Sequence, residues 1–380
     1  MTEQRHLVLV GGGHAHIEVL RRWAGSPLPG WRLTLLTREA MSPYSGMLPG
    51  VIAGLYRPEQ AMADVRRLGA LAQAEVVIDR ATGIDPDARR VSREEGAALG
   101  YDLLSLDTGA TPDTSEVSGA AEFALPLKPI DRLLPRIDAL VEHAAIGQRI
   151  VVVGGGAAGF EVAIAIAVRL RARGVEVVLV AGEAGLLPGF PAALRQRATR
   201  ALAERGIILH AGEDVAEVFE DGVGFREAPA LPAEAVLWAT GAAAAPWLSA
   251  TGLVRDHAGF LRVDAFLRAV GRRDVFAAGD VASLDGASLP KAGVYAVRQG
   301  PVLWANLRAA ATGGTMVPYR PQRDFLVLMS LGNGRALGTR NGLSFGGRWV
   351  WWLKDRIDRG FMARYQPAND QAAHDLKAGA

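Results

Sequence analysis

Two stretches of this chain echo each other across a long distance, and that echo limits the possible folds more than any other feature. Leu7-Val-Leu-Val10 runs into Gly11-Gly-Gly13, and Ile150-Val-Val-Val153 runs into Gly154-Gly-Gly156. An amphipathic stretch with helical spacing follows each glycine turn, over 17–23 and 160–173. A second apolar run then returns, at Leu33-Thr-Leu-Leu36 and at Val175-Glu-Val-Val-Leu-Val180. Strand, glycine turn, helix and strand make a βαβ unit, whose right-handed crossover sets both strands parallel in one sheet. The repeat therefore predicts an α/β chain with two dinucleotide-sized lobes. Glycine usage agrees, because 45 of 380 residues are Gly against a usual ~7%.

Three more segments read as buried strands that end in a Thr-Gly or Gly-Asp turn: 101–109, 234–241 and 274–280. Each delivers its turn to the edge where ligands bind in open α/β sheets. The first closes the first lobe, the second closes the inserted lobe, and the third returns the chain to the first lobe. From about Asp324 the pattern changes to short apolar runs separated by Gly332-Asn-Gly334 and Asn341-Gly342, the signal of an antiparallel meander. A helix is expected from Arg348 to about Tyr365, and the last dozen residues read as frayed.

Composition removes several classes of function. Lys+Arg 42 against Asp+Glu 40 leaves +2, too little for a nucleic-acid footprint. With no cysteine, disulfides, thiolate metal sites, iron–sulfur clusters and dithiol or persulfide carriers are excluded. No cluster with metal-ligand spacing and no nucleophile triad is visible. The apolar stretch 150–168 contains three glycines and Glu161, so a strand, a turn and a buried helix explain it better than a bilayer span. The N-terminal residues lack a signal-peptide pattern, and the expected location is the cytoplasm.

The second loop, Gly154-Gly-Gly-Ala-Ala-Gly159, carries the complete GxGxxG spacing. Gly154 makes the tight turn, Gly156 lets the backbone approach a pyrophosphate, and Gly159 lets helix and strand pack closely. The first loop departs from this, because His16 stands where the third glycine belongs and should hold the helix slightly off the strand. Its two turn-forming glycines still make a phosphate cradle, and neither His14 nor His16 needs a chemical role. The ribose-binding acid is open in both lobes. The second strands end in Thr37-Arg38-Glu39 and Ala181-Gly182-Glu183, each with its acid two residues late. Glu183 as a ribose ligand would favour NADH; as a solvated loop acid it would do nothing.

Nested dinucleotide lobes, Thr-Gly turns and Gly279-Asp280 resemble the two-dinucleotide-binding flavoproteins of the pyridine nucleotide-disulfide oxidoreductase superfamily. Local stretches extend the likeness: Gly11-Gly-Gly-His-Ala-His16, the 42–50 segment, the 290–300 segment and the 349–358 segment. Together they look like the FAD-dependent oxidoreductase associated with selenide, water dikinase, and like type II NADH dehydrogenases. The resemblance implies FAD in a discontinuous domain over 1–117 and 255–322, NAD(P)H in 118–254, and a β-meander with an amphipathic helix over 323–380.

It also implies roles. Gly11, Gly13, His14 and Ala15 would meet the FAD pyrophosphate, and Thr37, Arg38 and Glu39 its adenosine ribose. Thr108 and Gly109 would close the FAD lobe, and Gly241 the NAD(P)H lobe. Gly279 and Asp280 would face the ribityl chain, while Val294 and Tyr295 open a helix aimed at the flavin. Gly154, Gly156, Gly159 and Glu183 would serve NAD(P)H. Three residues are candidates for the chemistry: Glu161, beside the flavin–nicotinamide contact; Lys128, near the flavin and able to pair with Glu161; and Tyr44, in the segment that replaces the superfamily's thiol pair.

Without that pair, electrons must leave the flavin directly for a quinone or another diffusible acceptor. Two alternatives stay open: a flavoprotein acting on selenium or sulfur compounds, and a flavin-binding partner of selenophosphate synthesis. In the last helix, Trp349, Trp352, Leu353, Ile357 and Phe361 share one face, while Arg348, Lys354, Arg356, Arg359 and Arg364 outnumber Asp355 and Asp358 elsewhere. That pattern suits peripheral contact with the inner face of the plasma membrane. It equally suits packing on the flavin lobe or on a homodimer partner.

Overall fold

The structure, a computed structural model, describes residues 4–322 and 324–366. Arg323 and 367–380, and with them the expected frayed end, lie outside those residues. The chain first lays down β1 (Arg5–Val10), α1 (His14–Gly25), β2 (Trp31–Thr37), β3 (Glu75–Ile78) and β4 (Leu103–Leu106). It then builds a second set, β5 (Ala124–Pro126), β6 (Arg149–Val153), α2 (Ala157–Leu170), β7 (Glu176–Gly182), β8 (Ile208–Ala211) and β9 (Ala235–Trp238). With β10 (Val275–Ala277) and α3 (Gly293–Thr312) it returns to the first set.

The strands form two parallel sheets, ordered β10-β4-β1-β2-β3 and β5-β9-β6-β7-β8. The central strands are continuous Val/Leu/Ile runs because helices cover both faces. In β1, residues Leu7, Val8 and Leu9 are fully buried, and in β6 so are Val151 and Val152. The echo in the sequence thus becomes two parallel sheets that share the order of four strands, a mixed α/β architecture of the kind expected. They differ in the edge strand, which is the last of its set in the first sheet and the first of its set in the second.

The repeat reaches further than its glycines suggest. Just before the strand that closes each sheet, the chain makes a small three-stranded antiparallel sheet: Ala81–Asp85, Arg90–Arg93 and Leu99–Gly100 before β4, and Glu217–Phe219, Gly222–Gly224 and Leu231–Pro232 before β9. The sequence reading had no place for these pieces, whose strands are two to five residues long and too short to show a period. At the C-terminal end, β11 (Val327–Ser330), β12 (Ala336–Arg340) and β13 (Leu343–Gly347) pair antiparallel and lead into α4 (Arg348–Met362).

Candidate cofactor and electron-transfer site

The first loop is built around a residue that sequence reasoning missed, Asp107. It follows β4, and its N–H donates to the Val10 carbonyl at 2.8 Å, so its side chain lies under the turn that ends β1. The carboxylate accepts the N–H groups of Ala15 at 2.8 Å and His16 at 3.2 Å, both in the first turn of α1. A Cβ on Gly11, which sits at φ +96°, would lie 2.4 Å from the Asp107 carbonyl oxygen. A Cβ on Gly279 would lie 2.4 Å from the Asp107 carboxylate. The backbone at Asp107 thus requires glycine at position 11, and its carboxylate leaves no room for a Cβ at Gly13 or Gly279. Its burial pushes the carboxyl up to about 7, against the pull of the two N–H bonds.

The position of the missing third glycine is occupied by a packed side chain. His16 is fully buried; its Nδ1 is 2.7 Å from the Gly11 carbonyl and its Nε2 is 2.8 Å from Ser105 Oγ. Burial lowers it to about 4, so the ring is neutral at pH 7. A glycine does allow close packing elsewhere, between α3 and α1, where a Cβ on Gly300 would lie 2.9 Å from the Glu18 Cβ.

Around this loop stand the other residues the sequence singled out for the first lobe. Lys128 Nζ donates to Asp280 at 3.1 Å, so Lys128 pairs across to the Gly279 turn and not, as expected, with Glu161. The Gly279 N–H donates to Gln299 Oε1 at 2.6 Å. His14, Tyr44 and Phe361 form an aromatic group with centroids 4.5 to 5.9 Å apart. His14 Nε2 and Thr108 Oγ1 are buried without a partner, two polar atoms left over beside the cradle. Val294 and Tyr295 lie in the first turn of α3, which no side chain caps, with Ser45 close to Gly293. Beyond Thr37, a cleft of about 250 Å³ is lined by Arg38, Glu39, Ile78, Asp79 and Arg132. The uncapped start of α3, unpartnered polar atoms and an adjoining polar cleft fit a dinucleotide.

The second loop is spare by comparison. A Cβ on Gly159 would come within 1.9 Å of the Gly154 carbonyl oxygen, whereas one on Gly156 meets nothing within 4 Å. No side chain caps α2, so its first N–H groups are free for an anion. Glu183 is exposed past the end of β7, and its N–H donates to Asp214. Gly241, after β9, adopts φ +49°.

Glu161 lies two residues past Gly159 and is partly buried; its carboxylate accepts the Ser330 N–H at 2.6 Å, and desolvation lifts it to about 7. Near it is a polar group that the sequence reading assigned to the solvent side of the last helix. Lys354 and Asp358 are 5% and 4% exposed and bond to each other at 2.8 Å. Lys354 also donates to the Gly46 carbonyl, and the Tyr44 hydroxyl donates to Asp358 at 3.3 Å. The faces of α4 are thus largely inverted: Trp349, Trp352 and Ile357 are 56%, 63% and 44% exposed, and of the five residues expected on the apolar face only Phe361 is buried. The hidden signal was the i,i+4 spacing of Lys354 and Asp358. Tyr44 is held protonated by burial and by Asp358.

The family model for pyridine nucleotide-disulphide oxidoreductases matches residues 5–303. A "NADH dehydrogenase-like protein" of Mycobacterium tuberculosis is 32% identical over 228 residues, 57% of each chain. The chain therefore spans little more than half the length of that relative. Demethylphylloquinone reductase of Synechocystis is 28% identical over 275 residues, 68% of each. A structure of NDH2 from Plasmodium falciparum in complex with NADH superposes with a TM-score of 0.83 at 14% identity, covering 95% of this chain and 97% of that one. This last likeness speaks for the fold. The chain belongs to the pyridine nucleotide-disulphide oxidoreductase family.

Proposed function

We propose that this chain is an FAD-dependent NAD(P)H dehydrogenase that passes electrons to a quinone or a similarly small acceptor without a redox disulfide. The observation that carries the reading is the pair of glycine-headed helices, α1 and α2, each rising from the C-terminal edge of its own parallel sheet. FAD, when bound, supplies the chemistry, accepting a hydride equivalent from NAD(P)H and giving its electrons to the acceptor. The protein's own work is to bind and orient. Gly11 and Gly13 would admit the FAD pyrophosphate, Thr37 to Glu39 would border its adenosine, and Asp280, held by Lys128, would face its ribityl chain. The uncapped start of α3 would lend N–H groups where the ring gains negative charge. Gly154 and Gly156 would take the nicotinamide dinucleotide, and exposed Glu183 favours NADH, because a carboxylate repels a 2′-phosphate.

Reduction of a quinone consumes protons as well as electrons. Glu161, lifted by desolvation to about 7, can carry a proton near neutral pH, which suits a general acid. Asp358, Lys354 and Tyr44 form the adjoining buried polar group. The acceptor assignment draws support from the name of the Synechocystis relative, from the absence of cysteine in the chain, and from the Tyr44–Phe361 aromatic wall. Outside the site, Trp349, Trp352 and Ile357 with neighbouring Arg356 suit peripheral contact with an anionic lipid surface.

Stopped-flow absorbance tests the reading. NADH should bleach the flavin within the dead time to seconds, and a soluble quinone should restore the colour. Glu161→Gln should leave the bleaching intact and slow the return by roughly a hundredfold. Bleaching by sulfide or selenide and not by NADH would overturn the reading in favour of chalcogen chemistry.

A further inference from the structure

The α1 terminus that would receive a pyrophosphate already holds an anion of the protein's own. Asp107 accepts two of the N–H groups at that terminus, and Gly13 and Gly279 press on its carboxylate from both sides. A dinucleotide brings two further negative charges to the same spot. The groups facing Asp107 offer little to offset them. His14 and His16, on α1, are neutral with midpoints of about 4. Asp280, on the turn after β10, is another carboxylate, and Lys128, from the loop after β5, is already engaged with it and half exposed. Lys291 donates to the Ala282 carbonyl and lies over the Phe260 ring. Burying an uncompensated charge beside phosphates is costly. A carboxylic acid in that place is neutral and gains an O–H donor.

We propose that Asp107 is a cofactor-binding residue that acts as a neutral acid: docking of FAD draws one proton from solvent onto its carboxylate, and release of FAD returns it. The inference rests on the reading of the first lobe as the FAD site. The proton comes from water or buffer, and no other bond is made or broken. In the free protein the carboxyl titrates at about 7, so the uptake has a definite pH signature. Above that midpoint, FAD affinity falls about tenfold per pH unit; below it, affinity is flat.

Calorimetric titration of the flavin-stripped full chain with FAD, in two buffers of different protonation enthalpy, reads the proton directly. About one proton should be taken up per FAD near pH 8.5, and almost none near pH 6, where Asp107 already carries it. Asp107→Asn, which resembles the protonated acid, should bind FAD with no proton exchange and a flat pH profile. Near pH 8.5 it should bind at least roughly tenfold tighter than the unmodified chain. FAD binding by the unmodified chain without proton uptake near pH 8.5 overturns the proposal, whether or not the variant folds. Undiminished uptake by a folded Asp107→Asn chain does the same. Failure to bind FAD at either pH overturns the first-lobe reading together with it, and that outcome is distinct.

Discussion

The two glycine loops start from nearly the same residues and end as different devices. At the second, geometry is everything: Gly154 and Gly159 close on each other, Gly156 faces open space, and the start of α2 is uncapped. At the first, polar side chains have been added. Asp107 covers the start of α1, and His16 bolts the loop to β4 through Ser105. The comparison teaches that a complete glycine pattern and a broken one can serve related ends. The open loop suits a ligand that comes and goes; the bolted one suits a resident.

The largest effect should follow from closing the open loop. In Gly159→Ala the new methyl group meets the Gly154 carbonyl oxygen, displacing α2 from the strand. NADH-driven bleaching should fall by roughly a hundredfold or more, since an ångström of misplacement costs that much, while the bound flavin spectrum survives. If bleaching persists unchanged, the contrast between the loops is lost.

Next comes the bolt. His16→Gly restores the textual GxGxxG pattern, and a reading by pattern alone expects a gain. The structure predicts the reverse, because the Gly11 carbonyl and Ser105 Oγ lose their partner and a cavity opens. Chemical denaturation should register a loss of about 2–4 kcal/mol.

Each loop also has beside it one acid raised by desolvation, and their pH behaviour sharpens the comparison. For Glu161 the folded midpoint rises from 4.5 to about 7. The stability tied to its protonated form is therefore complete below about 4.5 and drains away as pH climbs toward 7. Between those limits Glu161→Gln should remove up to about 1.4 kcal/mol of slope per pH unit, measured by urea unfolding of the flavin-free chain. Asp107 and Asp358, raised by burial in the same direction, contribute to the part that remains, and the lowered His14 and His16 oppose it.

The smallest effect is the control. Trp349→Ser with Trp352→Ser should change stability by less than about 0.5 kcal/mol, because both rings are mostly in solvent. It should abolish flotation of the chain with anionic vesicles. A large loss of stability would mean that these rings support the loops after all.

Both parallel sheets and the meander were legible in the sequence because their signals are local: β-branched runs, glycine turns and an Asn-Gly hairpin. The site was legible only where spacing carries meaning, as at Gly154, Gly156 and Gly159. Asp107 was missed because nothing near it in sequence hints that its carboxylate reaches the start of α1, more than ninety residues earlier. Lys354 and Asp358 misled for a different reason. Charged residues beside three tryptophans look like the wet face of an amphipathic helix, and only tertiary partners such as Tyr44 and Gly46 reveal which way the helix is turned.

The C-terminal segment touches both halves of the molecule. Its meander gives Met329, Leu331 and Leu337 to the core of the second sheet and the Ser330 N–H to Glu161. Its helix gives Phe361, Met362 and Tyr365 to the core of the first, where the Tyr365 hydroxyl reaches Glu18. The consequence is mechanical. A strap fastened in both cores ties the lobes together, so any change in the angle between them would have to break packing at one end of it.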